Sequence, residues 1–247
     1  MKQLKGLAFL IIFFNINAPA QVNTDTTKTS HFHKILPWAA SGLLIGSGFF
    51  IAVDRDAEDL FLNNADIKEE RDENYSNFNF SADDYLQYVP AASVFILDAF
   101  KVKARNQVPE QLALLMKSEI LMIAMVHGLK NSGFEKRPDS PQKNSFPSGH
   151  TAQAFLAATF LSHEYGGKSI WYSVGAYSIA TAVGSMRVLN NRHWISDVIA
   201  GAGFGIISTE IVYSTHKYKW GKYSKATSSL FPGTPSGAAG ITFNLTF

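Results

Sequence analysis

Four stretches of this sequence run for a helix length with almost no charge: residues 36–53, 111–129, 170–187 and 193–216. Residues 36–53 contain no charged side chain at all, and Gly42 and Gly46 lie four apart there, a spacing that lets another helix approach closely. Apolar runs of this length satisfy their backbone groups most simply as helices, whose hydrogen bonds close within the segment. Residues 148–165 extend the pattern, with Gly166-Gly167 and Asn190-Asn191 as breaks. Period-two alternation is missing until Ile241–Phe247 (ITFNLTF), which reads as an edge strand or a frayed tail, the tail being favoured. The expected fold is all-α: a bundle of about six helices, membrane-embedded, with its chemistry at one end.

Composition narrows the function classes. Charged residues make up 17% of the chain and hydrophobic residues 46%, against roughly 25% charged in an ordinary soluble domain. A net charge of +2 offers no nucleic-acid footprint. With no cysteine, disulfides, thiol nucleophiles and Cys-ligated metals are excluded.

The first twenty residues read as an export signal: Lys2 and Lys5, an apolar run from Leu7 to Phe14, and Ala18-Pro19-Ala20 as a small-x-small cleavage site. Residues 21–35 read as a polar leader in which His31 and His33 are incidental. Residues 36–225 form the expected helical domain and 226–247 a C-terminal tail. Within the domain, residues 54–87 hold eleven acidic and three basic side chains and read as a solvated excursion with one short helix. Val89–Phe100 is a short apolar stretch containing Asp98, followed by the basic turn Lys101, Lys103 and Arg105.

The chemistry-bearing residues fall between 130 and 197, in three clusters: Lys130 with Arg137-Pro138, Pro147-Ser148-Gly149-His150, and Arg187 with His193 and Asp197. Taken singly, each is ordinary: a helix cap, an i,i+4 pair, a helix-end arginine. Brought together, two guanidinium groups and an ammonium suit a ligand with several anionic oxygens. Ser148 and the Gly149 amide sit where a loop enters a helix, a ready anion site. His193 and Asp197 are four apart, so on one helix the carboxylate can hold one imidazole nitrogen and leave the other as a nucleophilic lone pair. His150 could protonate a leaving oxygen. Such a set describes phosphoryl transfer without a metal or other cofactor.

Lys130-x6-Arg137-Pro138, Pro147-Ser148-Gly149-His150 and Arg187-x5-His193-x3-Asp197 resemble, in order and spacing, the three signature motifs of the type-2 phosphatidic acid phosphatase superfamily, which includes bacterial acid phosphatases and vanadium haloperoxidases. The resemblance runs from about residue 85 to 216. It departs at Met186, where the family usually has serine before the arginine; a serine stands one position earlier, at Ser185. The resemblance implies His193 as nucleophile and phosphohistidine, Asp197 as its orienting carboxylate, and His150 as acid and then base. It implies Lys130, Arg137, Ser148, Gly149 and Arg187 as holders of the phosphate oxygens. The modest length and short loop favour phosphatase over haloperoxidase.

Charge gives an expected orientation. Residues 216–225 carry four lysines and no acid, which places them in the cytoplasm. Alternating crossings then put all three motifs on the outer face, against an envelope lipid phosphate in the inner membrane. If the signal is cleaved, 36–53 crosses inward, the excursion 54–87 faces the cytoplasm, and 89–100 does not cross but dips or lies in protein. The rival expectation is a soluble periplasmic acid phosphatase. Expected partners are the lipid phosphate and membrane lipids, with no nucleic acid; the oligomeric state and the particular lipid are left open.

Overall fold

The computed structural model describes residues 26–53, 63–216 and two strand segments, 227–231 and 240–244. The expected signal 1–20 and the lysines of 217–225 lie outside the described residues. The chain divides after His216 into two compact units.

Among the described residues the first unit holds eight helices: α1 Thr26–Val53, α2 Asn64–Asn74, α3 Asp83–Leu86, α4 Val89–Ala99, α5 Val108–Lys130, α6 Gly149–Tyr165, α7 Ile170–Leu189 and α8 Ile195–Thr215. Helix α1 begins at Thr26, inside the stretch expected to be a polar leader. Its Thr- and Ser-rich start is a weak helix former alone, but it continues a long apolar helix and needs no nucleus of its own. The second unit holds an antiparallel hairpin, β1 Thr227–Phe231 with β2 Gly240–Asn244, in which Leu230 faces Ile241. The alternation from Ile241 therefore marks a paired strand; the favoured tail reading does not hold for these residues.

Helix α6 is the axis of the first unit, with every residue from Thr151 to Leu161 buried. Small residues bring α8 against it. A Cβ on Gly201 would meet the Ser148 carbonyl oxygen at 2.6 Å, and one on Gly205 would overlap that of Ala152. These contacts advance together along both helices, so α6 and α8 run parallel. Gly203 packs on Ser41 and Ile45, whereas Gly48 packs on Ser196 and Ala200, so α1 runs antiparallel to α8. Ser162–Ser173 at 2.7 Å and Thr159–Tyr177 at 3.0 Å set α7 antiparallel to α6. Helix α5 is antiparallel as well: Lys130 lies by Gly149, and Met122 and Val126 pack on Leu156 and Ala152.

The remaining pass corrects the expected path. Asp84 bonds His150 at one end of α6, and Asp98 accepts from the Tyr165 hydroxyl at the other end, 2.6 Å away. Helices α3 and α4 thus carry the chain along the full length of α6. Residues 89–100 do traverse the bundle, joined to α3 into a longer path than their own length suggested. The acidic excursion does not lie opposite the motifs either. Asn64 bridges Ser196 and Glu135, Arg71 donates to the Leu189 carbonyl, and Asn190 exchanges hydrogen bonds with Phe80. Residues 63–88 therefore cover the motif end, and α1 runs toward that end. The reason is pairing: the polar and charged side chains of this segment meet partners on α6, α7 and α8 that no local pattern reveals.

Among the described residues three helices are long and apolar enough to cross a membrane, Ile35–Val53, Val108–Lys130 and Ile195–Thr215. Residues 170–187, expected to be a fourth, are not among them, since Trp, Tyr, Ser and Thr dilute α7. Leu112, Met116, Ile120 and Ile123 form an exposed apolar stripe along α5. Water does not tolerate such a stripe on a large scale, whereas lipid does. The helical body is that of a membrane protein.

Candidate active site

The three sequence clusters meet at one end of the bundle. Asp197 sits in the first turn of α8, where its Oδ2 accepts from the Trp194 amide at 2.9 Å and caps the helix. The same oxygen lies 3.1 Å from Nδ1 of His193. Asp197 is fully buried and His193 is 3% exposed. With Nδ1 committed to the carboxylate, Nε2 is left as the lone-pair nitrogen. Burial, with Lys130 and Arg187 nearby, outweighs the carboxylate and pushes the His193 pKa down to about 4. The imidazole is thus neutral at neutral pH and competent as a nucleophile.

Ser148 caps α6, its Oγ accepting from the Thr151 amide and hydroxyl, and its own amide donates to the Asp197 carbonyl at 3.0 Å. This last bond ties the start of α6 to the start of α8. The amides of Gly149 and His150 remain first-turn donors, at the positive end of the helix. The Lys130 stem passes over Gly149, its Cε 3.9 Å from where a Cβ would stand. Its ammonium donates to the carbonyls of Asn144 and Ser145, at 2.9 and 3.4 Å. Arg137 is held through Nε on the Asn144 side chain at 2.8 Å. Arg187 is 8% exposed and gives one end of its guanidinium to Asp83 at 2.6 Å, while its buried Nε has no protein partner. A buried, unpartnered donor of this kind fits an incoming anion.

Every predicted site residue is therefore placed at this end. His193 and Asp197 are in direct contact; Lys130 shares its field with Arg137, Arg187 and Asp197. His150 is held by Asp84 at 2.9 Å. Sequence reasoning missed three groups. Ser145 is fully buried and donates to Asp197 Oδ2, with His193 Nδ1 at 3.4 Å. It sits three residues before Ser148, in a loop read only as polar. Asp83 and Asp84 were the others, lost within a charge-rich run. Ser185, the displaced serine of the third motif, bonds back to the Thr181 carbonyl of its own helix at 2.9 Å and takes no part in the site.

Asp83, Asp84 and His150 bring three ligand-type atoms within 4.8 Å of one another. The group does not fit a cation: an arginine nitrogen already sits 2.6 Å from Asp83 and 4.0 Å from Asp84. A groove of ≈ 850 Å³ opens beside Arg137 and Trp194, walled by Asn64, Lys68 and Glu135.

A lipid A 1-phosphatase of Porphyromonas gingivalis is 39% identical over 151 residues, which cover 60% of this chain and 33% of that protein. The chain thus spans about a third of the length of that relative. Among solved structures, Aquifex aeolicus LpxE is similar at 25% identity and a TM-score of 0.45, over 59% of this chain and 93% of that one. A transmembrane PAP2-type phosphatidylglycerolphosphate phosphatase from Bacillus subtilis is similar at 18% identity and a TM-score of 0.37, over 88% and 98%. The family model described as the PAP2 superfamily matches residues 91–221, more than half of the sequence and all three motifs, and the chain belongs to that superfamily.

Proposed function

We propose that this protein is a metal-independent phosphatase that hydrolyses a phosphate monoester or pyrophosphate of an envelope lipid through a phosphohistidine. The observation that carries the reading is the buried His193, held through Nδ1 by Asp197 with Nε2 free, in the field of Lys130 and Arg187, with Arg137 acting on Lys130. His193 Nε2 attacks phosphorus as the leaving oxygen takes a proton from His150. Lys130, Arg137, Arg187, Ser148 and the Gly149 amide hold the equatorial oxygens, where transition-state charge gathers. Water then attacks the phosphohistidine, with His150 as base.

Membership of the superfamily and the similarity to the Porphyromonas lipid A 1-phosphatase support a lipid phosphate. So does the site's place at the rim of helices with lipid-compatible flanks. Residues 36–225 as the catalytic domain and an inner-membrane location with the motif rim outward complete the proposal. The test is phosphate release in detergent from lipid A, undecaprenyl pyrophosphate, phosphatidate and phosphatidylglycerol phosphate, with trapping of an acid-labile phosphoenzyme. His193→Ala should abolish both. Persistent phosphoenzyme in that variant would sink the assignment, and active enzyme released by osmotic shock would favour the soluble acid phosphatase.

A further inference from the structure

Asp83 and Asp84 open α3, outside the three motifs and before the stretch that matches the family. They divide the active site between them: Asp83 takes Arg187, and Asp84 takes His150. We propose that Asp84 is a positioning residue for His150, accepting its Nε2 proton and so making Nδ1 the atom that exchanges a proton with the substrate. The inference rests on the acid–base role given to His150 above.

The charges around His150 explain the need. Arg187 on α7 and Lys130 on α5 face the start of α6; burial and Arg187 oppose a protonated imidazole, and Lys130 lies over the neighbouring Gly149. The facing carboxylates are Asp83 and Asp84, and Asp83 is already committed to the guanidinium at 2.6 Å. Asp84 Oδ1, 2.9 Å from Nε2, supplies the compensating charge. The pair inverts the relation between Asp197 and His193, where Nδ1 is held and Nε2 reacts.

The steps balance on this assignment. As the His193 Nε2 lone pair bonds to phosphorus, the P–O bond to the leaving group breaks with its electrons on oxygen, which takes the Nδ1 proton of His150. His150 is left neutral, its Nε2–H still on Asp84. A water oxygen then bonds to phosphorus, its proton passes to Nδ1, and the P–N electrons return to His193. Asp84 stays a carboxylate throughout.

The test compares Asp84→Asn, Asp84→Ala and Asp84→Glu with wild type in detergent, on a short-chain phosphatidate and on a nitrophenyl phosphate. The expected result for Asn and Ala is about a tenfold fall in kcat on phosphatidate with KM unchanged. The basic limb of its pH profile should move down by about one unit, the low end for losing a half-exposed opposite charge. Nitrophenyl phosphate should change less than about twofold, because its leaving group needs no proton. Glu should restore most of the phosphatidate rate. Equal losses on both substrates, an unmoved basic limb, or a gain in activity would overturn the proposal. Nitrogen-15 spectra of histidine-labelled protein, with His150→Gln for assignment, should show His150 carrying Nε2–H in wild type and a mixture in Asp84→Ala. An Nδ1–H tautomer in wild type would equally overturn it. That arm needs no turnover, so an inactive wild type would count against the phosphatase reading while Asp84 is still judged.

Discussion

Gly201→Ala tests whether the close approach of α6 and α8 builds the site. The new Cβ would lie 2.6 Å from the Ser148 carbonyl oxygen and 3.3 Å from Thr151 Cβ. A carbon ordinarily approaches a carbonyl oxygen to about 3.3 Å, so the helices must part by roughly 0.7 Å there. The carbonyl cannot swing aside, because it accepts the Ala152 amide at 3.0 Å. Overpacking of this kind costs about 1–3 kcal/mol, and the helix propensity of alanine returns at most about 1. The net loss of up to about 2 kcal/mol should lower the unfolding midpoint in detergent by up to roughly 8 °C, while the unhindered Gly175→Ala keeps the propensity gain of up to about 1 kcal/mol. Activity should suffer more. The displaced backbone carries Ser148, Gly149 and His150, while Asp197 and His193 stay with α8, and a misplacement near 1 Å costs up to about a hundredfold in rate. Gly205→Ala, which would overlap the Ala152 carbonyl one turn deeper, should destabilise at least as much while affecting kcat less. Gly175→Ala, with nothing within 4 Å of its Cβ, is the control. If Gly201→Ala matches Gly175→Ala in both midpoint and phosphate release, the packing argument is wrong.

Three further outcomes are expected. The acid limb of kcat/KM should have its midpoint near pH 4, where the buried His193 of the free enzyme takes up a proton; a midpoint near 6.5 would contradict a desolvated nucleophile. Because the unfolded chain protonates that ring near 6.5 and the folded one near 4, stability should also decline as pH falls through this window. Chelation with EDTA should leave activity unchanged and vanadate should inhibit, whereas recovery on adding zinc or magnesium after EDTA would overturn the metal-free reading. Ser145→Ala should lower kcat about tenfold with KM intact, since it removes one charge-assisted bond to Asp197 of roughly 1.5–3 kcal/mol in gross terms; a change confined to KM would reassign Ser145 to binding.

The sequence made the helical core legible because its signals are local. Ser148 and Ser169 cap α6 and α7, Asn190 follows the latter, and the apolar runs match α5 to α8 within a few residues. The motif residues were legible because their order and spacing resemble the superfamily's three motifs, all within the residues that the family match spans. Asp83 was not, because a buried carboxylate is recognised only through its partner, and Arg187 stands 104 positions away. Residues 63–88 resembled a solvated excursion for the same reason: Asn64, Arg71 and Asn190 bond across the rim rather than along the chain. The direction of α1 was misjudged because it was derived from cleavage of a leader, whereas packing of Gly48 on Ala200 decides it.

The alternation of α1, α3–α4, α5, α6, α7 and α8 has an even parity, so Thr26 and Thr215 share a rim, opposite the catalytic one. Parity couples two questions that otherwise look separate. A leader removed at Ala20 on the outer side would leave five residues before Thr26, a tether of at most about 18 Å. That is too short to recross a hydrocarbon layer of about 30 Å. Removal of the leader and an outward-facing active site therefore exclude one another, and the amino-terminal residue of the purified protein reports which way the catalytic rim faces.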